Sequence, residues 1–225
     1  MHAISEALDR VSTAIENAAI RAGRKPSDVT LVAASKKTEI LQIEAAIAWG
    51  LRIFGENRVQ EAHAKFLDSA LIKKIEALHL IGPLQTNKVK KVVGQFDLIH
   101  SVDSLHLAEK IEKEALRQGI TQSILIEVNI AGEENKHGVS LAQTPNLVEA
   151  IRKLAHLKLL GLMTIPPLTE SAEAARPYFS KLRKLGESLQ LHKFSMGMSR
   201  DFEVAIEEGA TWVRPGTAIF GRRTL

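Results

Sequence analysis

Three positions at the ends of apolar stretches of this chain carry residues that could do chemistry. Lys36 follows the apolar run 29–35, and Ser199 and Gly216-Thr217 end two later apolar runs. A lysine amine partly removed from water can attack an aldehyde. Glycine beside a hydroxyl residue lets backbone N–H groups approach an anion closely. The sequence therefore predicts one site that contains an amine and two phosphate-sized turns.

Arg214 lies inside the apolar stretch 212–216, where an unpaired charge is costly. It requires an acceptor, and the alternatives are a ligand atom or a salt bridge to Glu56 or Glu127. Lys37 is a second amine beside Lys36. Since neighbouring side chains of an extended strand point to opposite sides, we expect only one lysine of the pair to point inward.

Eight short apolar runs must position these residues, and amphipathic stretches such as 40–50 and 104–119 separate them. An additional amphipathic helix is predicted from the N-terminus through Ala22, with Gly23 as its stop. The runs are 29–35, 52–57, 77–82, 98–103, 123–129, 158–164, 193–198 and 212–217. This β-then-α alternation predicts a (β/α)8 barrel with an extra N-terminal helix, formed by residues 1–225 as a single domain.

An open doubly wound sheet is the alternative fold, but no G-x-G-x-x-G follows the first strand. In a closed barrel the first strand lies beside the eighth, and functional groups lie at the carboxyl ends of the strands. Barrel closure would therefore bring Lys36 close to Arg214 despite their separation along the chain.

Composition excludes several classes of function. The 30 basic and 26 acidic residues are mixed along the chain, so nucleic acid is not an expected partner. The absence of cysteine excludes disulfides and thiolate chemistry, and no histidine pair has metal-ligand helix spacing. No signal peptide and no apolar run of about 18 residues is present, so we expect a cytoplasmic protein that does not span a membrane.

Ordered motifs along nearly the whole chain resemble the pyridoxal phosphate homeostasis proteins, single-domain relatives of the alanine racemase barrel. The motifs are Val32-Ala-Ala-Ser-Lys36, Phe54-Gly-Glu-Asn57 with Gln60-Glu61, His79-Leu-Ile-Gly-Pro-Leu-Gln85 with Asn87-Lys88, Ile99-His-Ser-Val-Asp103, Lys136-His-Gly138, Gly161-Leu-Met-Thr-Ile-Pro166, Ser195-Met-Gly-Met-Ser199 and Val213-Arg-Pro-Gly-Thr-Ala-Ile-Phe-Gly221.

This resemblance implies that pyridoxal 5'-phosphate (PLP) is held as an internal aldimine on Lys36. It assigns the phosphate to Ser199, Gly216 and Thr217, the pyridine nitrogen to Arg214, the ring's hydroxyl edge to Asn57, and the pocket wall to Met163. The chain departs from the family pattern in two places. Pro215 removes one backbone donor, so we expect the phosphate to rely on the amides of the next two residues. The sequence Lys37-Thr-Glu-Ile40 also lacks the proline that is frequent in the family.

The residues that the resemblance places against the cofactor indicate the function. Arginine cannot accept the proton of the pyridine nitrogen, so the ring would be a weak electron sink. The racemase's second base is a tyrosine from another domain, and the single tyrosine here, Tyr178, follows Pro177 at a predicted helix start. We therefore assign no catalytic residue, and we expect intracellular vitamin B6 homeostasis.

In that role the protein would buffer PLP or deliver it to apoenzymes. Other B6 vitamers are further candidate ligands, and we expect a monomer. Two alternatives remain: a small PLP-dependent amino-acid racemase or lyase, and a barrel enzyme that binds a sugar phosphate without an aldimine.

Overall fold

The computed structural model describes residues 2–133 and 136–221. The α-helices are α1 (His2–Arg21), α2 (Ile40–Trp49), α3 (Val59–Ala62), α4 (Leu105–Gln118), α5 (Thr144–Ile151), α6 (Arg176–Ser188), α7 (Phe202–Glu207) and α8 (Thr217–Phe220). The strands are β1 (Thr30–Leu31), β2 (Ala33–Ala34), β3 (Ile53–Glu56), β4 (Ala77–Leu80), β5 (Leu98–Val102), β6 (Gln122–Asn129), β7 (Val139–Ser140), β8 (Leu157–Met163), β9 (Phe194–Ser195) and β10 (Trp212–Val213).

The sheet closes on itself through the first extended segment of the chain. β1 pairs with β10 and β2 pairs with β3, while only Val32 separates β1 from β2. All strand pairs are parallel, and the order around the sheet is β1, β10, β9, β8, β6, β5, β4, β3, β2, with β7 attached to β6. Each of the eight predicted runs occupies one position in this closed sheet, and the first run supplies both β1 and β2. The prediction of a (β/α)8 barrel is therefore confirmed.

Helix α1 forms as predicted, because its apolar residues recur on one face. Leu8, Val11 and Ile15 are buried, and the helix lies against α2, α7 and α8. Gly23 follows it with a φ of +68°, a conformation that favours glycine. The helix therefore covers the first and last units of the barrel at once.

The crossovers on one side of the barrel are less regular than the predicted alternation. Between β4 and β5 the connection contains a 3₁₀ helix, Thr86–Lys91, in which only Val89 is buried. A single buried side chain gives no apolar stripe on which an α-helix could dock. Between β3 and β4, α3 continues into a π-helical turn, His63–Leu67, and a 3₁₀ helix, Ala70–Lys74. None of the helices in the described part of the chain is long and apolar enough to cross a membrane.

The structure contains two separate apolar clusters. The larger packs the helices against the outside of the sheet. The smaller fills the barrel interior and consists of Val32, Ala34, Ile81, Leu98, Leu125, Met163 and Trp212. Polar side chains share that interior, and His79, His100, Ser195 and Arg214 are all buried. The interior thus contains both apolar and polar side chains, and the buried polar side chains require hydrogen bonds within the protein.

At Gly161 the backbone of β8 lies close to that of Lys193, the residue just before β9. A Cβ atom added there would lie 1.9 Å from the carbonyl oxygen of Lys193, which accepts a hydrogen bond from Leu162 N–H. Gly161→Ala must therefore separate β8 from β9, and we expect it to destabilise the protein by about 3 kcal/mol or more. Urea unfolding measures this change in the free energy of unfolding.

Gly23→Ala is the comparison for this substitution, because Gly23 has open space around it and only its positive φ opposes a side chain. We expect it to cost about 1 kcal/mol. Equal losses for the two variants would contradict the proposed backbone clash at Gly161.

Candidate functional site

A cavity of about 730 Å³ opens at the carboxyl ends of the strands. Six of the seven residues assigned to the cofactor from the sequence line it: Lys36, Asn57, Ser199, Arg214, Gly216 and Thr217. The seventh, Met163, is fully buried in the interior cluster with Ala34 and Ile81, which themselves line the cavity. Met163 thus lies beneath the cavity wall and supports it from below.

The two lysines lie in a turn that follows β2. Lys36 is partly buried, and Lys37 is exposed with a φ of +56°. Both border the cavity. The alternation expected of an extended strand does not apply to them, because the strand ends at Ala34. Lys36 is nevertheless the more buried of the two amines.

Arg214 is buried at the base of the cavity, with 3% of its surface exposed. Nη1 donates to Ser195 Oγ at 2.5 Å, and Nη2 donates to the Thr164 carbonyl at 3.0 Å. Burial lowers the pKa of Arg214 to about 10, opposed by the negative charges of Glu127 and Asp201. The guanidinium is therefore a cation at neutral pH and serves only as a donor.

Neither salt bridge considered for Arg214 is present among the described residues. The carboxylate of Glu56 pairs with Lys65 at 3.0 Å. Glu127 acts on Arg214 through its charge alone, and burial raises the pKa of Glu127 to about 7. The acceptors of Arg214 are instead a hydroxyl and a backbone carbonyl. The amino-acid composition of the chain could identify neither of them.

A chain of buried hydrogen bonds extends from Arg214 across the barrel interior. Ser195 Oγ lies 2.8 Å from His100 Nδ1, and His100 Nε2 lies 3.1 Å from His79 Nδ1. Because arginine only donates, Ser195 Oγ accepts the hydrogen bond from Arg214 Nη1. The tautomers of His100 and His79 set the direction of the two bonds that follow. Arg214 thus fixes the direction of the first hydrogen bond in the chain.

His79 and His100, the two histidines of this hydrogen-bonded network, are neutral at physiological pH. Burial lowers the pKa of His79 to about 4. Burial also lowers the pKa of His100 well below its usual value, helped by the nearby His79 and the charge of Arg214. Their contacts with each other and with Ser195 are those of structural residues.

The hydroxyl oxygen of Ser199 accepts two hydrogen bonds from the backbone. The N–H groups of Gly216 and Ala218 both donate to Ser199 Oγ, each at 3.0 Å. An oxygen that accepts two hydrogen bonds keeps its own O–H proton as a polarised donor. This hydroxyl and the following turn line the cavity, so they form an anion-binding corner.

Pro215 has a structural role in this corner. Its carbonyl accepts a hydrogen bond from Ala34 N–H at 3.0 Å and continues the pairing of the first and last strands. A Cβ atom on Gly216 would lie 2.9 Å from the Ala34 carbonyl, so glycine permits this close approach. The amides of Gly216 and Ala218 both donate to Ser199 Oγ, and the expected role of the Gly216 and Thr217 amides toward a phosphate stays a prediction. The second departure from the family pattern also has a clear result, since α2 begins at Ile40 without the proline.

Lys65 is a buried cation that the sequence interpretation missed. Its Nζ donates to the Ser35 carbonyl at 2.7 Å and contacts the carboxylates of Glu56 and Glu61. The signal available in the sequence was the i, i+4 spacing of Glu61 and Lys65, which is typical of a helical ion pair. Within the described ranges, no group of three or more histidine, aspartate or glutamate side chains could hold a metal ion.

The fold and the site together define a class of protein. A closed parallel barrel with a lysine after its first strand and a buried arginine after its last is a barrel of the alanine racemase type. The family model described as alanine racemase, N-terminal domain, matches residues 8–224.

Full-length relatives specify the family further. The chain is 48% identical to the pyridoxal phosphate homeostasis protein of Aquifex aeolicus, over 97% of both chains. It is 41% identical to the protein of the same name from Pseudomonas aeruginosa, over 99% of this chain and 97% of the other. The structure of PipY from Synechococcus elongatus with PLP bound superimposes with a TM-score of 0.83 at 36% identity, covering 97% of this chain and 100% of that one. This chain belongs to the pyridoxal phosphate homeostasis protein family.

The buried histidines predict a pH dependence of stability. The pKa of His79 is about 4 in the folded protein against 6.5 normally, so the unfolded chain binds more protons between these values. The contribution of His79 to stability is therefore lost as the pH falls from 6.5 to 4. His79→Asn keeps a side chain that can donate to or accept from His100 but does not titrate. Between pH 7 and 4 the wild type should lose roughly 3 kcal/mol more than this variant.

Urea unfolding at a series of pH values measures the two profiles. Glu127, whose pKa is raised, acts with the opposite sign, since its protonated form is favoured by folding. Both proteins contain Glu127, so the difference between their profiles removes its effect. Parallel profiles would show that His79 titrates normally in the folded state.

Proposed function

We propose that this protein binds PLP through a covalent bond to Lys36 and serves vitamin B6 homeostasis by holding the cofactor and delivering it to apoenzymes. The observation that carries the proposal is the convergence of three groups on one cavity: the Lys36 amine, the buried Arg214 cation and the polarised Ser199 hydroxyl. The names of its full-length relatives and the PLP-bound PipY structure support the same function.

The phosphate end of PLP fits the anion-binding corner. Ser199 supplies a hydroxyl that two backbone N–H groups polarise. Gly216 and Thr217 border the same part of the cavity, and the glycine leaves the backbone accessible to an anion. These three residues are the proposed phosphate ligands.

The ring end of PLP fits the opposite part of the lining. When bound, PLP supplies an electrophilic aldehyde and an aromatic ring that can delocalise an electron pair. Arg214 would present a donor to the pyridine nitrogen and no carboxylate that could keep a proton there. Asn57 borders the cavity at the end of β3, where it would face the ring's hydroxyl edge, and Met163 supports the wall from below.

These surroundings favour storage and delivery over turnover. A donor at the ring nitrogen weakens the electron withdrawal on which transamination and decarboxylation depend. Two-base racemisation requires a second base above the cavity, and the single tyrosine of the chain, Tyr178, lies on α6 and packs against the outer apolar cluster. We assign no catalytic residue, and we further propose that residues 1–225 form one domain that acts as a cytoplasmic monomer.

Lys36→Ala is the direct test of covalent binding. The wild-type protein mixed with PLP should gain a visible absorption band that borohydride bleaches, because reduction converts the linkage to a stable secondary amine. After reduction, peptide mass spectrometry should find the added group on Lys36. Lys36→Ala should show neither the band nor the modified peptide.

Lys37→Ala is the matched control, because it removes the neighbouring exposed amine and the same charge. It should retain the band. Modification of Lys37 in place of Lys36, or a wild type that takes up no PLP, would overturn the proposed site. Amino-acid turnover that Lys36→Ala abolishes would identify an enzyme and overturn the storage role.

Ser199→Ala tests the phosphate corner separately from the amine. Loss of a hydrogen bond to a charged phosphate should weaken PLP binding roughly tenfold or more. Binding of pyridoxal, which has the same aldehyde and no phosphate, should stay unchanged. Absorbance titration with both compounds measures the two affinities, and Ser188→Ala on the exposed side of α6 serves as the control. Equal weakening of both compounds would show a general disturbance of the cavity.

A further inference from the structure

The backbone on both sides of Lys36 is held by side chains from another element. The Ser35 carbonyl, in the peptide group before Lys36, accepts a hydrogen bond from Lys65 Nζ at 2.7 Å. The Lys37 N–H, in the peptide group after it, donates to Glu61 Oε2 at 2.8 Å. Lys65 and Glu61 are themselves joined at 3.1 Å. One ion pair therefore anchors both peptide groups that flank the Cα of Lys36.

A third charged group completes this cluster beneath the turn. Glu56 Oε1 accepts from Lys65 Nζ at 3.0 Å and from Ser35 Oγ at 2.7 Å. Glu56 is fully buried, and Lys65 is 8% exposed. We call Ser35, Glu56, Glu61 and Lys65 the anchoring cluster. It connects the turn after the first strand to the end of β3 and the helical segment that follows it.

The anchoring cluster holds the turn with buried charged groups, whose desolvation costs free energy. Burial raises the pKa of Glu56, although Lys65 and the Ser35 hydroxyl oppose the shift, and Glu56 Oε2 lacks a hydrogen-bond partner among the described residues. Well-packed apolar residues often replace a buried ion pair without loss of stability. A stability role alone therefore does not explain why these charges lie directly behind Lys36.

The backbone conformation of the turn requires stabilisation by residues outside the turn. Lys37 adopts a φ of +56°, which is uncommon for a residue with a side chain. Such a conformation persists where the surroundings enforce it. The hydrogen bond from Lys37 N–H to Glu61 and that from Lys65 to the Ser35 carbonyl orient the two peptide planes. Together they determine the direction in which Lys36 leaves the backbone.

We propose that Lys65 and Glu61 are positioning residues for Lys36: they orient its amine to attack the aldehyde carbon, whose oxygen leaves as water when the C=N bond forms, and they do not contact the ligand. The inference rests on the proposed function, since it gives the orientation of Lys36 a purpose. Neither residue lines the cavity, so the effect of each would pass through the turn. Removal of either should slow capture while leaving the rest of the cavity intact.

Lys65→Met tests the proposal with two ligands. PLP reports on the cavity and on Lys36, whereas pyridoxine 5'-phosphate has the same ring and phosphate but an alcohol in place of the aldehyde, so it reports on the cavity alone. Misorientation of a reacting group should reduce the rate of PLP capture at least tenfold. The affinity for pyridoxine 5'-phosphate should change less than about twofold, within the scatter of a distant substitution. Stopped-flow absorbance and calorimetry measure the two quantities.

Two further variants separate orientation from folding. Lys73→Met removes an exposed lysine from the adjacent 3₁₀ helix and should capture PLP at the wild-type rate. The double variant Lys65→Met/Glu56→Gln leaves no unpaired charge at the fully buried position 56, while the partly exposed Glu61 keeps the Lys37 N–H as its donor, so the thermal stability of this variant should be close to that of wild type. It should still capture PLP slowly, because the Ser35 carbonyl has lost its donor.

Glu61 offers a test by conservative rescue. Glu61→Gln retains an oxygen acceptor for Lys37 N–H and should capture PLP at a rate near that of wild type. Glu61→Ala removes the acceptor and should be slow, with faster amide hydrogen exchange at Lys37 by NMR. Equal capture by the two variants would overturn the role of this hydrogen bond.

The remaining outcomes are also distinct. Equal weakening of PLP and pyridoxine 5'-phosphate by Lys65→Met would show a general structural role and overturn the proposal. Unchanged capture would overturn it as well. A wild-type protein that binds pyridoxine 5'-phosphate but never bonds to PLP would instead overturn the proposed function, independently of Lys65.

Discussion

The pairing of a single five-residue segment with both edges of the sheet is the constraint on which the rest of the molecule depends. Thr30 and Leu31 pair with the last strand, and Ala33 and Ala34 pair with the second strand of the barrel. Because Lys36 follows this segment by two residues, closure of the barrel also places the backbone at Lys36. The carbonyl of Pro215 extends this pairing by one more hydrogen bond. The backbone at Lys36 and the phosphate corner are therefore held beside each other as long as the sheet remains closed.

Two polar systems support the cavity from different directions. The hydrogen-bonded chain from Arg214 to His79 crosses the interior and keeps the guanidinium in one orientation. The anchoring cluster lies behind the turn and holds the backbone at Lys36. Apolar residues such as Leu125 and Trp212 fill the interior around the first system. The side chains that face a ligand are thus few, and buried partners restrict them.

The sequence predicted the closed barrel because its strands are short, apolar and regularly spaced, and that pattern survives without knowledge of contacts. It also predicted the lining of the cavity, since strand ends converge in any such barrel. It did not predict the 3₁₀ connection at Thr86–Lys91, because basic residues there obscure how little surface the segment buries. Of the two alternatives for Arg214, the salt bridge is absent among the described residues and the ligand atom stays a prediction; a search for opposite charges overlooks a serine hydroxyl and a carbonyl. Lys65 was missed because a lysine in an amphipathic segment normally faces water.

The donor-only character of Arg214 has a consequence for proton movement. A proton can pass along a chain of hydrogen bonds only if each member accepts from one neighbour and donates to the next. The member at the cavity, Arg214, is a cation at neutral pH and has no lone pair to accept with. Arg214 therefore does not relay protons between the cavity and the two interior histidines, although hydrogen bonds connect all three residues.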